Sequence, residues 1–234
     1  MSIKYIKKID EVDPIDILIP AAGLGKRMKS YGPKPLINIK KNLSILENQI
    51  KIFQKTLPNS NIIIVCGFQS ETLMNQCPEN IIKVENERYE ETNVVRSLGM
   101  GLRACTKDVL ICYGDLVFNK ACIENMNFNR SSMFTGKNIM KEGEVGCVIN
   151  PKGKVENMMY DLENKWGQII FLKGKELKMF KNICWNPENY HMFGFEAINK
   201  VIENGGNIIS CSDEKGKAID IDNSKDLEKV SSII

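Results

Sequence analysis

The sequence predicts an α/β fold in three layers, with helices on both faces of a mostly parallel sheet. Three observations carry this prediction. Short apolar runs recur along the first half of the chain, at 15–20, 61–65, 81–84 and 109–113. Runs that are apolar on both alternating faces suit strands buried on both sides. Amphipathic stretches with helix-start signals separate them, an order that argues for parallel strands joined by helical crossovers.

The elements follow in order. Residues 15–20 read as a buried strand. Ser44 and Glu47 form a capping-box pattern that opens a helix to about Lys55. The run 61–65 is a second strand and ends at Gly67; a short helix over 70–76 stops before Pro78. Residues 81–84 form a third strand. Thr92 or Asn93 caps a helix that runs through Ala104, and 109–113 is a fourth strand ended by Gly114 and Asp115. The second half is less regular. Shorter strands are expected at 131–135, 144–149, 154–159 and 168–172, separated by turn signals such as Asn150-Pro151-Lys152-Gly153. Helices at 176–181 and 190–203, strands at 208–211 and 218–221, and a last helix at 224–230 complete the chain. No repeat or long linker divides it. We expect one domain over 1–234, with 1–13 a flanking segment and about 131–195 an acceptor-binding insertion or lid.

Composition narrows the function. Hydrophobic residues make up 43% and charged residues 26% of 234, as in a globular protein. A net charge of +3 with no dense basic block argues against a nucleic-acid partner. No apolar stretch approaches the length of a bilayer span, and residues 1–12 contain no signal-peptide core, so no membrane partner and a cytoplasmic location are expected. The chain is compatible with a homo-oligomer. The eight cysteines include no C-x-x-C pair, and His191 is the sole histidine, which argues against zinc and for reduced, buried thiols.

The chemistry-bearing stretch follows the first strand: Ala21-Ala22-Gly23-Leu24-Gly25-Lys26-Arg27-Met28, then Pro33-Lys34-Pro35-Leu36. Small residues let backbone N–H groups approach phosphate oxygens, and cations balance their charge. Read alone, the loop is equally a tight strand–helix turn. It is not a dinucleotide fingerprint, because Met28 stands at the third glycine position; it is not a P-loop, because the G-x4-G-K-[ST] pattern is absent. The first departure also argues against an oxidoreductase or a methyltransferase. Two prolines flank Lys34 and restrict its backbone. Asp115 ends a predicted parallel strand, the end at which open α/β sheets bind ligands.

These two blocks resemble the AAGxGxR(M)…(P)KPL signature of the nucleotidyltransferases that make nucleotide-activated sugars and alcohols. Asn86-Glu87-Arg88-Tyr89 with Asn93 and Ser97 resembles the choline-phosphate cytidylyltransferase branch. The resemblance implies a Rossmann-like, GT-A-like sheet. It implies transfer of a nucleoside monophosphate from an NTP, with CTP expected, to a small phosphorylated acceptor such as phosphocholine, releasing pyrophosphate. The alternatives are a sugar 1-phosphate with UTP, dTTP or GTP, and a regulatory protein that binds nucleotide without turnover. Lys34, Arg27 and Lys26 are the expected catalytic and phosphate-binding cations. Ala21, Ala22, Gly23, Leu24, Gly25, Gly67, Asn93, Ser97 and Gly114 are the expected nucleotide-binding residues. Mg2+ is the expected cofactor, on Asp115 and Asp222, with Asp220 the second choice for the latter. Strand alternation would send Asp220 and Asp222 to one face, and Asp226 is expected on an exposed helix face. Trp166, Trp185 and Tyr190 are candidates for the acceptor site by cation–π contact, a reading that competes with plain core or lid packing.

Overall fold

A computed structural model describes residues 12–25, 32–136 and 143–234. The first strand, β1 (Asp16–Pro20), lies between β4 (Asn61–Cys66) and β6 (Val109–Cys112), and β5 (Ile82–Glu85) continues beyond β4; all these pairings are parallel. The second half extends the same sheet from β6. There β11 (Asn164–Leu172) pairs antiparallel with β6, and β9 (Val145–Ile149) and β10 (Val155–Tyr160) form the far edge. β8 (Ser132–Gly136) pairs with β11 and carries β12 (Ile209–Cys211) in parallel.

Alternation along β1 builds both cores. Ile17 and Ile19 point into one apolar layer with Leu46, Ile50 and Phe53 of helix α1 (Ile45–Thr56), over which α2 (Ser70–Gln76) also packs. Leu18 points the other way, against α3 (Val94–Ala104), α5 (Gly174–Trp185) and α6 (Gly194–Glu203). Helices on both faces make three layers, so the central strands β1, β4 and β6 are apolar on both sides.

The predicted capping box opens α1: the Ser44 hydroxyl accepts from the Glu47 N–H, and the Glu47 carboxylate accepts from the Ser44 N–H. Asn93, rather than Thr92, caps α3. The helix predicted at 176–181 extends to Gly174–Trp185, and the strand predicted at 168–172 begins at Asn164. The helix predicted from 190 begins at Gly194, after a turn of 3-10 helix over Pro187–Asn189.

Two antiparallel pairings were not read from the sequence; of their four strands only the last, predicted at 218–221, was expected. β2 (Asn38–Lys40) pairs with β3 (Leu43–Ser44). β7 (Leu116–Phe118) pairs antiparallel with β13 (Ala218–Asp220), joining the middle of the chain to its end. A short helix, α4 (Ala121–Glu124), follows β7, and α7 (Ser224–Lys229) closes the chain.

All eight cysteines are free, and burial raises the thiols of Cys66, Cys105, Cys122 and Cys147 to about 12. Packing, not reactivity, is their role here. Among the described residues no helix is long and apolar enough to cross a membrane.

Asp16 anchors the entry to β1. Its carboxylate is buried and accepts from the backbone N–H groups of Thr106 and Lys107 at 2.7 and 2.9 Å and from the Asn61 amide at 2.8 Å. Asp16→Ala strands these buried donors, and we expect it to lower the unfolding free energy by ~3 kcal/mol. Urea titration checks this; a loss below ~0.5 kcal/mol would mean that water replaces the carboxylate without cost.

Candidate active site

The loop after β1 runs along the C-terminal ends of the parallel strands, between two glycines. A Cβ on Gly67 would stand 2.7 Å from both the Cβ and the carbonyl oxygen of Ala22; one on Gly114 would stand 2.9 Å from the Ala21 Cβ. Side chains at either position would push the loop away from the sheet. Backbone hydrogen bonds hold it there: Ala21 N–H donates to the Val65 carbonyl and Phe68 N–H to that of Ala22.

Lys34 lies in a short 3-10 turn, Lys34–Leu36, entered from Pro33 and containing Pro35. Its side chain passes over Gly25, which adopts φ +53°. The ammonium then donates to Asp115 Oδ2 at 3.0 Å and to Asp222 Oδ1 at 2.7 Å. All three side chains are largely shielded from water. Burial pulls the Lys34 pKa down, but Asp115 and Asp222 outweigh it and leave the value raised, so Lys34 stays an ammonium at neutral pH.

Each acid is positioned from behind. The buried Gln49 amide of α1 donates to the Tyr113 and Leu116 carbonyls at 2.8 and 2.7 Å, clamping both ends of the turn that presents Asp115. The Ile221 N–H donates to the Asp115 carbonyl at 3.0 Å, which extends the β7–β13 pairing and carries Asp222 to the site. Asp226 is buried, not exposed as the sequence suggested. Its carboxylate accepts from the N–H groups of Asp222 and Asn223.

β13 ends at Asp220, so strand alternation does not govern Asp222. The two acids take different partners. Asp222 meets Lys34, whereas Asp220 stands 3.5 Å from Lys165, which also pairs with Glu144 at 2.5 Å. Burial, and then the neighbouring Asp115 and Asp222, raise the Asp220 carboxyl despite the opposing pull of Lys165.

Two cavities meet at this cluster. One, of about 210 Å³, is lined by the loop residues Ala21, Ala22, Gly23 and Gly25, by Lys34 and Asp115, and by Asn93 and Ser97 of the α3 N-terminus. The other, of about 410 Å³, contains Glu144, Lys165, Trp166, Asp220 and Asp222 beneath the rings of Tyr160, Phe193 and Phe195. Tyr113 and Val94 line both. Tyr113 packs edge-on against Trp166, with ring centroids 5.5 Å apart.

Most of the sequence-predicted residues converge here. Leu24 lies within the loop, and Gly67 stands behind it as a spacer rather than in the lining. Lys26 and Arg27 lie outside the described residues. Two acceptor candidates are elsewhere. The Trp185 indole N–H donates to the Gly99 carbonyl at 2.9 Å, and its ring lines a different groove with Pro14 and Lys181. Tyr190 carries the Arg96 guanidinium 4.5 Å above its ring and accepts from it, bracing the start of α3. Neither residue lines the larger cavity. The sequence reading missed Lys165, Glu144 and Gln49 altogether. Lys165 lies in the gap between the strands predicted at 154–159 and 168–172, and nothing in spacing alone connects it to Asp220.

Comparisons with known proteins agree with this geometry. Residues 17–132 match the family model of the MobA-like NTP transferase domain. Just under half of the chain is thus similar to the nucleotidyltransferase superfamily. Its fold is similar to that of the CTP:phosphocholine cytidylyltransferase of Streptococcus pneumoniae, at 18% identity and a TM-score of 0.80, covering 94% of this chain and 99% of that one. It is similar to the inositol-1-phosphate CTP transferase of T. maritima, at 14% identity and a TM-score of 0.77, covering 97% of each. A UDP-glucose pyrophosphorylase matches at 12% identity and a TM-score of 0.73, over 94% of this chain and 98% of that one. No curated protein sequence matches the chain.

The donor set suits a divalent cation held jointly with phosphates. Among the described residues no group of three or more His, Cys, Asp or Glu side chains could hold a metal by itself. Asp115 and Asp222 contact one ammonium, so their oxygens lie no farther apart than those two hydrogen bonds reach. Mg2+ commonly takes one or two carboxylates and fills its remaining positions from phosphates and water. Lys34 occupies the place such a cation would take. Lys34→Met should therefore tighten Mn2+ binding to the nucleotide-free protein by about tenfold, read by the electron paramagnetic resonance of free Mn2+. Unchanged or weaker binding would show that the two carboxylates do not form a cation site.

Proposed function

We propose that this protein transfers a nucleoside monophosphate from an NTP to a small phosphorylated acceptor, releasing pyrophosphate. The observation that carries the reading is the Asp115–Lys34–Asp222 bridge at the seam of the two cavities. The smaller cavity, with its glycine-rich loop, takes the nucleotide. The larger takes the acceptor.

An oxygen of the acceptor phosphate attacks the α-phosphorus in line, a new P–O bond forms, and the bond to the β-phosphate oxygen breaks. The acceptor phosphate is itself the nucleophile, so no side chain needs to remove a proton. Lys34 gives up a carboxylate contact for an α-phosphate oxygen and offsets charge as the bonds change. The loop's backbone N–H groups orient the phosphates, and Asp115 and Asp222 would hold Mg2+. The ion, once bound, supplies neutralisation of phosphate charge. Catalysis is then positioning and electrostatics, not covalent chemistry.

The acceptor cavity favours a phosphorylated sugar or polyol. Its polar lining includes Lys165, Glu144, Gln168 and Asn223, groups that can bond several hydroxyls. Gln168 has φ +56° where the register of β11 against β8 shifts, a bulge that redirects its side chain. Similarity to a UDP-glucose pyrophosphorylase and an inositol-1-phosphate CTP transferase supports this class. A second reading, phosphocholine, is favoured by the aromatic rim. Tyr160 and Phe193 are 45% and 49% exposed, and Tyr160 and Phe193 each lie against Phe195, at 5.2 and 6.2 Å between centroids. Such rings with Glu144 nearby suit a quaternary ammonium.

A pyrophosphate-release screen of four NTPs against sugar phosphates, inositol 1-phosphate and phosphocholine tests both. Turnover with phosphocholine alone would select the second reading. Nucleotide binding without pyrophosphate release from any acceptor would leave a regulatory nucleotide-binding protein. Lys34→Ala and Asp115→Asn should each lower kcat by about 10²- to 10³-fold with the circular dichroism spectrum retained, and EDTA should stop the reaction until Mg2+ is restored. Near-normal kcat in either variant would remove that residue from the mechanism.

A further inference from the structure

The wall of the smaller cavity contains a hydrogen-bond network whose polarity is fixed. Asn86 is 1% exposed and follows β5. Its Oδ1 accepts from the backbone N–H of Arg88 at 3.2 Å. A backbone N–H can only donate, so the amide cannot be turned the other way. Its NH2 group therefore faces two hydroxyls, Ser97 Oγ at 3.0 Å and Thr92 Oγ1 at 3.4 Å. Thr92 has committed its own proton to the Arg88 carbonyl at 2.7 Å. Ser97, which lines the cavity, receives a hydrogen bond from Asn86 and keeps a proton to donate.

Asn93 precedes Ser97 by four residues, on the same side of the helix start. Its Oδ1 accepts from the Val94 N–H at 2.8 Å, which leaves its NH2 as the outward group. The wall thus offers two neighbouring donors.

We propose that Asn86 is a positioning residue that sets base preference, by holding Ser97 as a donor toward a cytosine. This rests on the reading of the cavity as the nucleotide site. Cytosine carries adjacent acceptors at N3 and O2. Uracil and thymine carry N3–H between their carbonyls, and that donor opposes the wall. Ser97 is only 4% exposed, so an opposed donor there has no water to turn to.

Calorimetric titration of the four NTPs into the native protein, Asn86→Asp and Ser97→Ala tests this without reference to turnover. The native protein should bind CTP at least tenfold tighter than UTP. In Asn86→Asp the carboxylate still accepts from the Arg88 N–H but now takes the Ser97 proton, turning the serine's lone pairs to the cavity. The CTP:UTP ratio should fall about tenfold, with UTP binding gained rather than merely CTP binding lost. Ser97→Ala should bring the ratio near one. A merely structural Asn86 would weaken both nucleotides alike. A native preference for UTP or a purine, or an unchanged ratio in Asn86→Asp, overturns the proposal; should Asn86→Asp not fold, an unchanged ratio in Ser97→Ala does so. Selective CTP binding without pyrophosphate release would sink the transferase reading and leave this one standing. Transfer with no base preference would do the reverse.

Discussion

Everything at this site depends on one shielded ammonium held between two carboxylates. Lys34 reaches Asp115, 81 residues on, and Asp222, 188 residues on. Three distant parts of the chain are thereby tied at one point. Within a protein of low local dielectric, such a pair is costly to break from one side, on the order of 3–5 kcal/mol, because the remaining charge stays unpaired. The arrangement holds only because each partner is separately positioned. Prolines restrict the turn of Lys34, Gln49 clamps the turn of Asp115, and Asp226 fixes the backbone at Asp222.

The charges beyond this point alternate. Lys165 stands between Glu144 and Asp220 much as Lys34 stands between Asp115 and Asp222. The cleft floor is therefore a row of acids with lysines between them. Charged substrates entering such a row exchange one set of paired charges for another and avoid meeting an uncompensated field. Asp220 is the member that burial and its acidic neighbours disfavour as a carboxylate, and Lys165 is what opposes that tendency.

Elements with a strong local signal were legible. The four parallel strands of the first half and the capping box at Ser44 match residue for residue within the usual fraying of ends. The weak readings had a physical cause. β7 is three residues long and exists through its pairing with β13, far along the chain, so periodicity does not reveal it; β13 was predicted at 218–221, but its partner was not. β11 began earlier than read because Asn164 and Lys165 look like a turn until β9 pairs with them. Trp185 and Tyr190 are aromatic and near in sequence to residues of the larger cavity, but their bonds to α3 hold them outside its lining.

By itself the sequence determined the four strands of the first half and their parallel character, the glycine-rich loop, and the residue types expected to meet phosphate. Those follow from local rules: apolar runs, caps, small residues and prolines act over a few positions. Tertiary structure alone decided which acids face Lys34, since that choice lies in the β7–β13 pairing. It also decided that Lys165 and Glu144 belong to the cleft, and that Ser97 accepts from Asn86. Hydrogen-bond polarity is a property of a closed network, and no single residue of Asn86, Arg88, Thr92 and Ser97 carries it alone.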